Sequence, residues 1–160
     1  MDAESALAHA PAGQKDSLRL WLRLVTCATL IETQIRKRLR EQFSTTLPRF
    51  DLLAALDRNG EGLTLGDVSR RMMVSNGNVT GLAARLEAEG LVERRLDAGD
   101  RRAFRLRLTA RGAREFARQS TAHEGWIAEL LGTLSEAERG QLHKLLGRAK
   151  TSIRDRLDQA

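Results

Sequence analysis

Asn78, Thr80 and Arg85 are spaced so that a helix would carry them beside a bare face made of Gly77, Gly81 and Ala84. An amide, a hydroxyl and a guanidinium around such a stripe do recognition chemistry by hydrogen bonding. Asn suits adenine and Arg suits guanine when either bonds bidentately to a base edge. Two glycines inside one helix should cost roughly 1 kcal/mol each against alanine, and the reading that accounts for them is close approach of the helix backbone to DNA. The blander alternative is a loosely tolerated surface helix. Arg85, Arg94, Arg95, Arg101, Arg102, Arg105, Arg107, Arg111, Arg114 and Arg118 then follow in close succession with acidic residues between them. That is a patterned cationic surface and not a disordered basic arm. The 160 residues carry a formal net charge of +6, which suits an anionic partner.

Other chemistries find little support. There is no P-loop, no G-x-S-x-G and no dinucleotide fingerprint. His9, His123 and His143 are widely separated and Cys27 is the one cysteine, so neither a zinc site nor an intrachain disulfide is expected. No catalytic residue, metal or cofactor is assigned, and the chain is not read as an enzyme. It has no run of 18 apolar residues and no secretory pattern at its start, so a cytoplasmic protein without a membrane partner is expected.

The elements that must position these residues are legible in order. Residues 1–16 read as a disordered tail. From Ser17 to about Phe43 a helix carries Leu18, Trp21, Leu24, Val25, Ala28, Ile31, Ile35 and Leu39 in one stripe, widened by Leu20, Leu22 and Leu30. An apolar surface that wide needs partners on more than one side. Pro48 suits the first turn of the next helix, whose inner face is Phe50, Leu53, Ala54 and Leu56. Thr64 and Asp67 are spaced as a capping box, and Ser75 is a second N-cap candidate. Val79, Leu82, Ala83 and Leu86 recur at i, i+3, i+4 and i+7 on the helix that follows, which Gly90 ends with Leu91 behind it. Phe104, Leu106 and Leu108 alternate with Arg105 and Arg107 as in a half-buried strand, pairing with 91–96 across a charged turn at 97–102.

Helix, tight turn, helix and basic hairpin make a winged helix. Such a module puts its second helix in the major groove and its hairpin beside the backbone or minor groove. A helix from Ala110 to about Leu131 turns Ala113, Phe116, Ala117, Trp126, Ile127 and Leu130 inward. Ser135 and Glu138 cap a last helix striped with Leu142, Leu145, Leu146, Ala149, Ile153 and Leu157. The fold expected is therefore mainly α with a small β-hairpin wing. Residues 46–109 form the winged helix-turn-helix DNA-binding domain, and 17–45 with 110–160 form a helical dimerisation region. A homodimer suits double-stranded DNA, because two-fold symmetry lets two helices read half-sites one turn apart.

The chain resembles the MarR family of bacterial transcriptional regulators over Leu18 to Leu157. The marks are Leu47-Pro48-Arg49-Phe50-Asp51-Leu52-Leu53, Leu86-Glu87-Ala88-Glu89-Gly90-Leu91-Val92, and Asp100-Arg101-Arg102 followed by Leu106-Arg107-Leu108-Thr109. The resemblance implies that Arg102 enters the minor groove and that Asp100 helps hold the wing. It matches the family's recognition helix to Ser75–Glu89, so Ser75, Asn76, Asn78, Thr80 and Arg85, with Asp100, Arg101 and Arg102, form the DNA-binding set. Gly81, Ala83 and Ala84 stand where many members carry larger polar residues.

The resemblance further implies a homodimer joined by the first and last helices and a pocket between those helices and the wing module, often for an aromatic effector. The stretches LWLRLVTCATLIE, TLPRFDLL and MMVSNGNVTGL look most like members associated with aromatic-acid degradation, some answering to aroyl-CoA thioesters. The residues available to line a pocket are Trp21, Arg23, Cys27, Ile31, Arg49, Phe50, Leu53, His123 and Trp126, each of which could equally be core. An aromatic acid needs an apolar slot and a cation, from Arg49 or Arg23. A CoA thioester needs further cations for its phosphates, from Arg36 and Arg38 with Lys37 and Arg40. Cys27 invites a redox-sensor reading, but its apolar neighbours favour a buried small hydrophobe.

The function expected is a homodimeric repressor of a pseudo-palindromic operator, released by a small aromatic ligand. The rivals are a sequence-indifferent architectural DNA protein, a redox-sensing regulator acting through Cys27, and a protein-interaction module.

Overall fold

Six helices and one antiparallel hairpin make up the described residues, 12–96 and 104–159 of a computed structural model. In order they are α1 (Ala12–Phe43), α2 (Leu47–Asp57), α3 (Leu65–Met72), α4 (Asn76–Ala88), β1 (Val92–Leu96), β2 (Phe104–Leu108), α5 (Ala110–Leu130) and α6 (Glu136–Leu157). The chain belongs to two compact units, one ending at His123 and the other beginning at Glu124.

Helix α1 begins five residues before the expected Ser17. The Ser17 hydroxyl donates to the Gly13 carbonyl at 3.2 Å, and Arg19 pairs with Asp16 at 3.3 Å, so both residues brace an added turn. Ser17 thus bonds back along a helix and does not cap one. The capping signals further on behave as their spacing implies. Thr64 and Asp67 exchange side chain to backbone bonds across the start of α3, and Ser135 and Glu138 do the same for α6.

The first unit has a continuous core. Ile35 and Leu39 come from α1, Phe50, Leu52, Leu53 and Leu56 from α2, Val68 from α3, and Val79, Ala83 and Leu86 from α4. Leu91, Val92, Leu106 and Phe116 close it from the wing and α5. Each such Leu, Val or Phe stabilises the unit by roughly 1.5–3 kcal/mol relative to exposure. Two expectations are corrected. Leu52, absent from the expected inner face of α2, is fully buried, because that helix is covered on two sides. Ala113 and Ala117 are exposed, and the inward positions between Phe116 and His123 go to the polar Gln119.

The hairpin pairs Val92 with Leu108, Arg94 with Leu106 and Leu96 with Phe104. Leu63 adds a third backbone to it, its N–H donating to the Leu106 carbonyl at 3.0 Å and its carbonyl accepting from the Leu106 N–H at 2.8 Å. This bridge lashes the wing to the loop before α3.

One junction joins recognition helix, wing and α5. Gly90 sits at φ 70° just past α4. Its N–H donates to the Glu87 carbonyl and that of Leu91 to the Leu86 carbonyl, both at 2.9 Å. These are the two bonds of a Schellman stop, with Leu86 and Leu91 as its apolar pair. Thr109 then donates its hydroxyl to the Gly90 carbonyl at 2.7 Å and accepts from the Gly112 N–H at 2.9 Å, which caps α5. At Gly112 the two segments touch so closely that a Cβ would lie 1.9 Å from the Leu91 carbonyl oxygen.

Much apolar surface remains outside. In α1, Leu20, Trp21, Leu24, Val25 and Leu30 are exposed, Trp21 by 56% and Leu30 by 63%. In α6 no residue is buried, and Leu142, Leu145, Leu146, Ile153 and Leu157 all face solvent. Cys27 is exposed as well, a correction to its expected burial, because the apolar residues around it on α1, such as Leu24, Val25 and Leu30, are themselves exposed. Among the described residues no helix is long and apolar enough to cross a membrane.

Candidate nucleic-acid interface

The interface is built on the turn between α3 and α4. Met73, at φ 54°, takes the left-handed conformation that ends α3, and the Val74 N–H donates back to the Ser69 carbonyl at 3.2 Å. The Ser69 hydroxyl binds the Val74 carbonyl, so the turn is closed from both sides. Ser75 then caps α4, its hydroxyl accepting from the Asn78 N–H at 3.4 Å. Ser75 therefore serves the helix start as well as standing in the expected DNA-binding set.

Val79, Ala83 and Leu86 hold α4 to the core, while Leu82, expected with them, is only half-buried. Asn76, Gly77, Asn78, Thr80, Ala84 and Arg85 are exposed. A Cβ built on Gly77 or Gly81 would meet nothing within 4 Å, so neither glycine is imposed by packing. Asn78 and Arg85 line a groove of about 390 Å³ with both glycines, opposite Pro48 and Val74. Thr80 donates its hydroxyl to the Asn76 carbonyl at 2.8 Å, which leaves the oxygen as an acceptor for an outside donor.

On the wing, Arg94 pairs with Glu87 at 3.1 Å and Arg95 with Glu93 at 2.7 Å. Arg105 donates to the Gly62 carbonyl at 3.2 Å. Leu96 and Phe104, paired at the outer end of the strands, are both exposed. Asp100, Arg101 and Arg102 lie outside the described residues.

The residues proposed for a ligand are only partly brought together. Phe50 and His123 lie with ring centroids 4.9 Å apart, and Phe116, missing from the sequence-based set, joins them at 5.5 Å from Phe50. Leu53 is buried beside them on α2, and Ile31 is half-buried. Trp21, Arg23 and Cys27 are exposed on α1. Arg36 donates to Glu32 at 3.0 Å, and Arg38 is half-buried. Trp126 is buried and belongs to the second unit.

Arg49 has a different setting. Its guanidinium forks onto the Glu89 carboxylate, with one arm at 2.8 Å. Both residues line a polar cavity of about 280 Å³ shared with Arg111, Glu115 and Gln119. Gln119, only 2% exposed, donates to Glu115 at 3.0 Å. Sequence reading missed it, although its four-residue spacing from Glu115 is a usable signal. The Arg49 fork holds the Glu89 carboxyl below its ordinary pKa. Asp51 moves the other way: surrounding atoms desolvate its carboxyl and raise it, against the pull of Arg36.

Comparison with known proteins agrees with this geometry. Residues 43–103, which span α2 to the wing, match the model of the MarR family. The HTH-type transcriptional regulator PecS of Dickeya dadantii is 30% identical over 114 residues, covering 70% of this chain and 69% of PecS. The transcriptional activatory protein BadR of Rhodopseudomonas palustris is 35% identical over 96 residues, covering 59% and 54% respectively. A MarR family transcriptional regulator from Silicibacter pomeroyi superposes with a TM-score of 0.75 at 30% identity, over 90% of this chain and 99% of that one. These relatives are regulators and not enzymes. The chain belongs to the MarR family of winged helix-turn-helix, DNA-binding transcriptional regulators.

Proposed function

We propose that the protein acts as a homodimer on a pseudo-palindromic operator and that a small aromatic ligand lowers its affinity for that DNA. The observation that carries the DNA reading is the outward face of α4, where Asn78, Thr80 and Arg85 surround two glycines with open space above them. Backbone approach at Gly77 and Gly81 brings the three polar side chains within reach of base edges, while Arg102 of the wing enters the minor groove with Arg101 beside it. Residues 46–109 form the DNA-binding domain, and 17–45 with 110–160 supply the dimer contacts.

A second copy of the chain is the partner that suits the exposed apolar faces of α1 and α6. The face on α1 runs from Leu20 to Leu30 and that on α6 from Leu142 to Leu157, and two-fold pairing would set two α4 helices about one DNA turn apart. The effector is an aromatic acid or its CoA thioester. Phe50, Leu53 and His123 supply an apolar, aromatic cluster, buried at Phe50 and Leu53, so a ligand there must part core side chains. The cation for a free acid falls to Arg23, since Arg49 is engaged by Glu89. Arg36 and Arg38 would meet the phosphates of a thioester, with Arg36 giving up Glu32. A ligand acts only through its different affinity for the DNA-competent and DNA-incompetent forms. BadR is named as an activatory protein; repression by this chain would require an operator that overlaps the promoter.

Fluorescence anisotropy with the upstream intergenic DNA, beside a scrambled duplex, tests this reading. Aromatic acids and their CoA thioesters are added in turn. Selective binding released by one compound is expected. Selective binding that no compound releases would discard the effector class, and equal binding to both duplexes would favour an architectural DNA protein.

A further inference from the structure

The outward face of α4 is useful only if the helix is held at a fixed rotation about its own axis, and its core contacts alone define that rotation weakly. The buried stripe is Val79, Ala83 and Leu86, with the smallest side chain in the middle. Ser75 fixes the helix start. At the other end, Glu89 is the C-cap of α4, and two cations from other elements grip it. Arg49, from the first turn of α2, forks onto its carboxylate, and Arg111, from the first turn of α5, donates to its carbonyl at 3.0 Å.

Arg94–Glu87 ties α4 to the adjoining strand β1, only seven positions on, whereas Arg36–Glu32, Arg70–Asp67 and Arg118–Glu115 each brace a single helix. Arg49 and Glu89 are 40 positions apart and join two elements. A bidentate guanidinium–carboxylate contact fixes orientation as well as distance. Cations at a helix C-terminus also complement its dipole, so Arg49 and Arg111 suit the end they hold.

We infer that Arg49 and Glu89 are positioning residues for DNA recognition: their pair sets the rotation of α4, and with it sequence selectivity, without either side chain touching DNA. The inference rests on α4 being the helix that reads DNA.

Electrostatics makes the inference sharp. Glu89→Gln removes a negative charge from a protein whose partner is a polyanion, so charge alone would tighten binding to every duplex. Loss of position would instead weaken binding to the upstream DNA while leaving scrambled DNA unchanged or slightly tighter. If misplacement forfeits the equivalent of one base contact, the ratio of upstream to scrambled affinity should fall about tenfold. The pair is partly solvated, with side chains 20% and 46% exposed, and pairs of that kind add little to stability, so the variants should remain folded.

The experiment measures anisotropy on both duplexes for wild type, Glu89→Gln, Arg49→Gln and the swapped double variant Arg49→Glu/Glu89→Arg, with circular dichroism melts alongside. Expected are a reduced ratio in both single variants, its substantial recovery in the swap, and unchanged melting within a few degrees. A lowered melting temperature with an unchanged ratio would overturn the inference, because the pair would then be a structural brace only. A ratio unchanged or raised in Glu89→Gln would overturn it too, as would a swap no better than the single variants. Wild type without any preference would overturn the reading of α4 itself, and that outcome is visible before any variant is compared.

Discussion

Gly112 and Gly81 make one substitution that should act with opposite sign at two helical positions. A Cβ on Gly112 would lie 1.9 Å from the Leu91 carbonyl oxygen and 2.8 Å from the Leu91 carbonyl carbon. Both are backbone atoms in the segment that ends the recognition helix, so no flexible side chain can yield. Alanine there must push α5 from Leu91, at about 1–3 kcal/mol for overpacking. The move also strains the Thr109 bonds to Gly90 and Leu91, of which one lost would add about 1 kcal/mol. The gain in helix propensity is small in a first turn, so the net cost is about 2–4 kcal/mol. For a chain of this size that lowers the melting temperature by about 5–15 °C. Gly81→Ala meets open space inside a helix and should stabilise by about 0.5–1 kcal/mol, or about 1–4 °C. Calorimetric melts of both variants at one protein concentration decide the matter. A Gly112→Ala protein as stable as wild type would refute the close contact on which the junction is built.

Four further outcomes follow from particular side chains. Thr64→Ala removes half of the α3 capping box and should cost about 1 kcal/mol in denaturant unfolding. Asp67, Glu89 and Glu138 all have carboxyls held below their ordinary values, Asp67 and Glu138 by capping bonds and Glu89 by Arg49. Their stabilisation is present above the unfolded values of 3.8 for Asp and 4.5 for Glu and is lost as pH falls through the lower folded ones. Asp51 is raised, so its contribution has the opposite sign: Asp51→Asn should raise the melting temperature slightly at pH 7, and a decrease there would contradict its desolvation. Replacing Leu146 and Ile153 with glutamate should convert the proposed homodimer to a monomer in light scattering, since both side chains are exposed on α6.

What could be read from the sequence was mostly local. Capping boxes act over three residues and a Schellman stop over five, so Thr64, Ser135 and Gly90 announced the helix ends. Alternation gave the hairpin for the same reason. The start of α1 was misplaced because Gly13 to Asp16 carry no apolar stripe, whereas local bonds such as that of the Ser17 hydroxyl to the Gly13 carbonyl extend the helix through them. Contacts between distant segments left no such mark. Leu63 bridging to Leu106, Gly112 against Leu91, and Arg49 with Glu89 each depend on two stretches meeting in space. A lone arginine in Leu47-Pro48-Arg49-Phe50 therefore read as a ligand cation, whereas its partner stands 40 residues away. The apolar stripe of α1 was legible, but not that Cys27 would stand exposed within it.

The most direct measurement for the role of α4 is the affinity of Asn78→Ala/Arg85→Ala for upstream and scrambled DNA, beside wild type, at two salt concentrations. Expected is a loss of at least tenfold on upstream DNA, with scrambled DNA weakened only by the missing charge of Arg85. Equal loss on both duplexes, or none on either, would contradict the assignment of base reading to this helix.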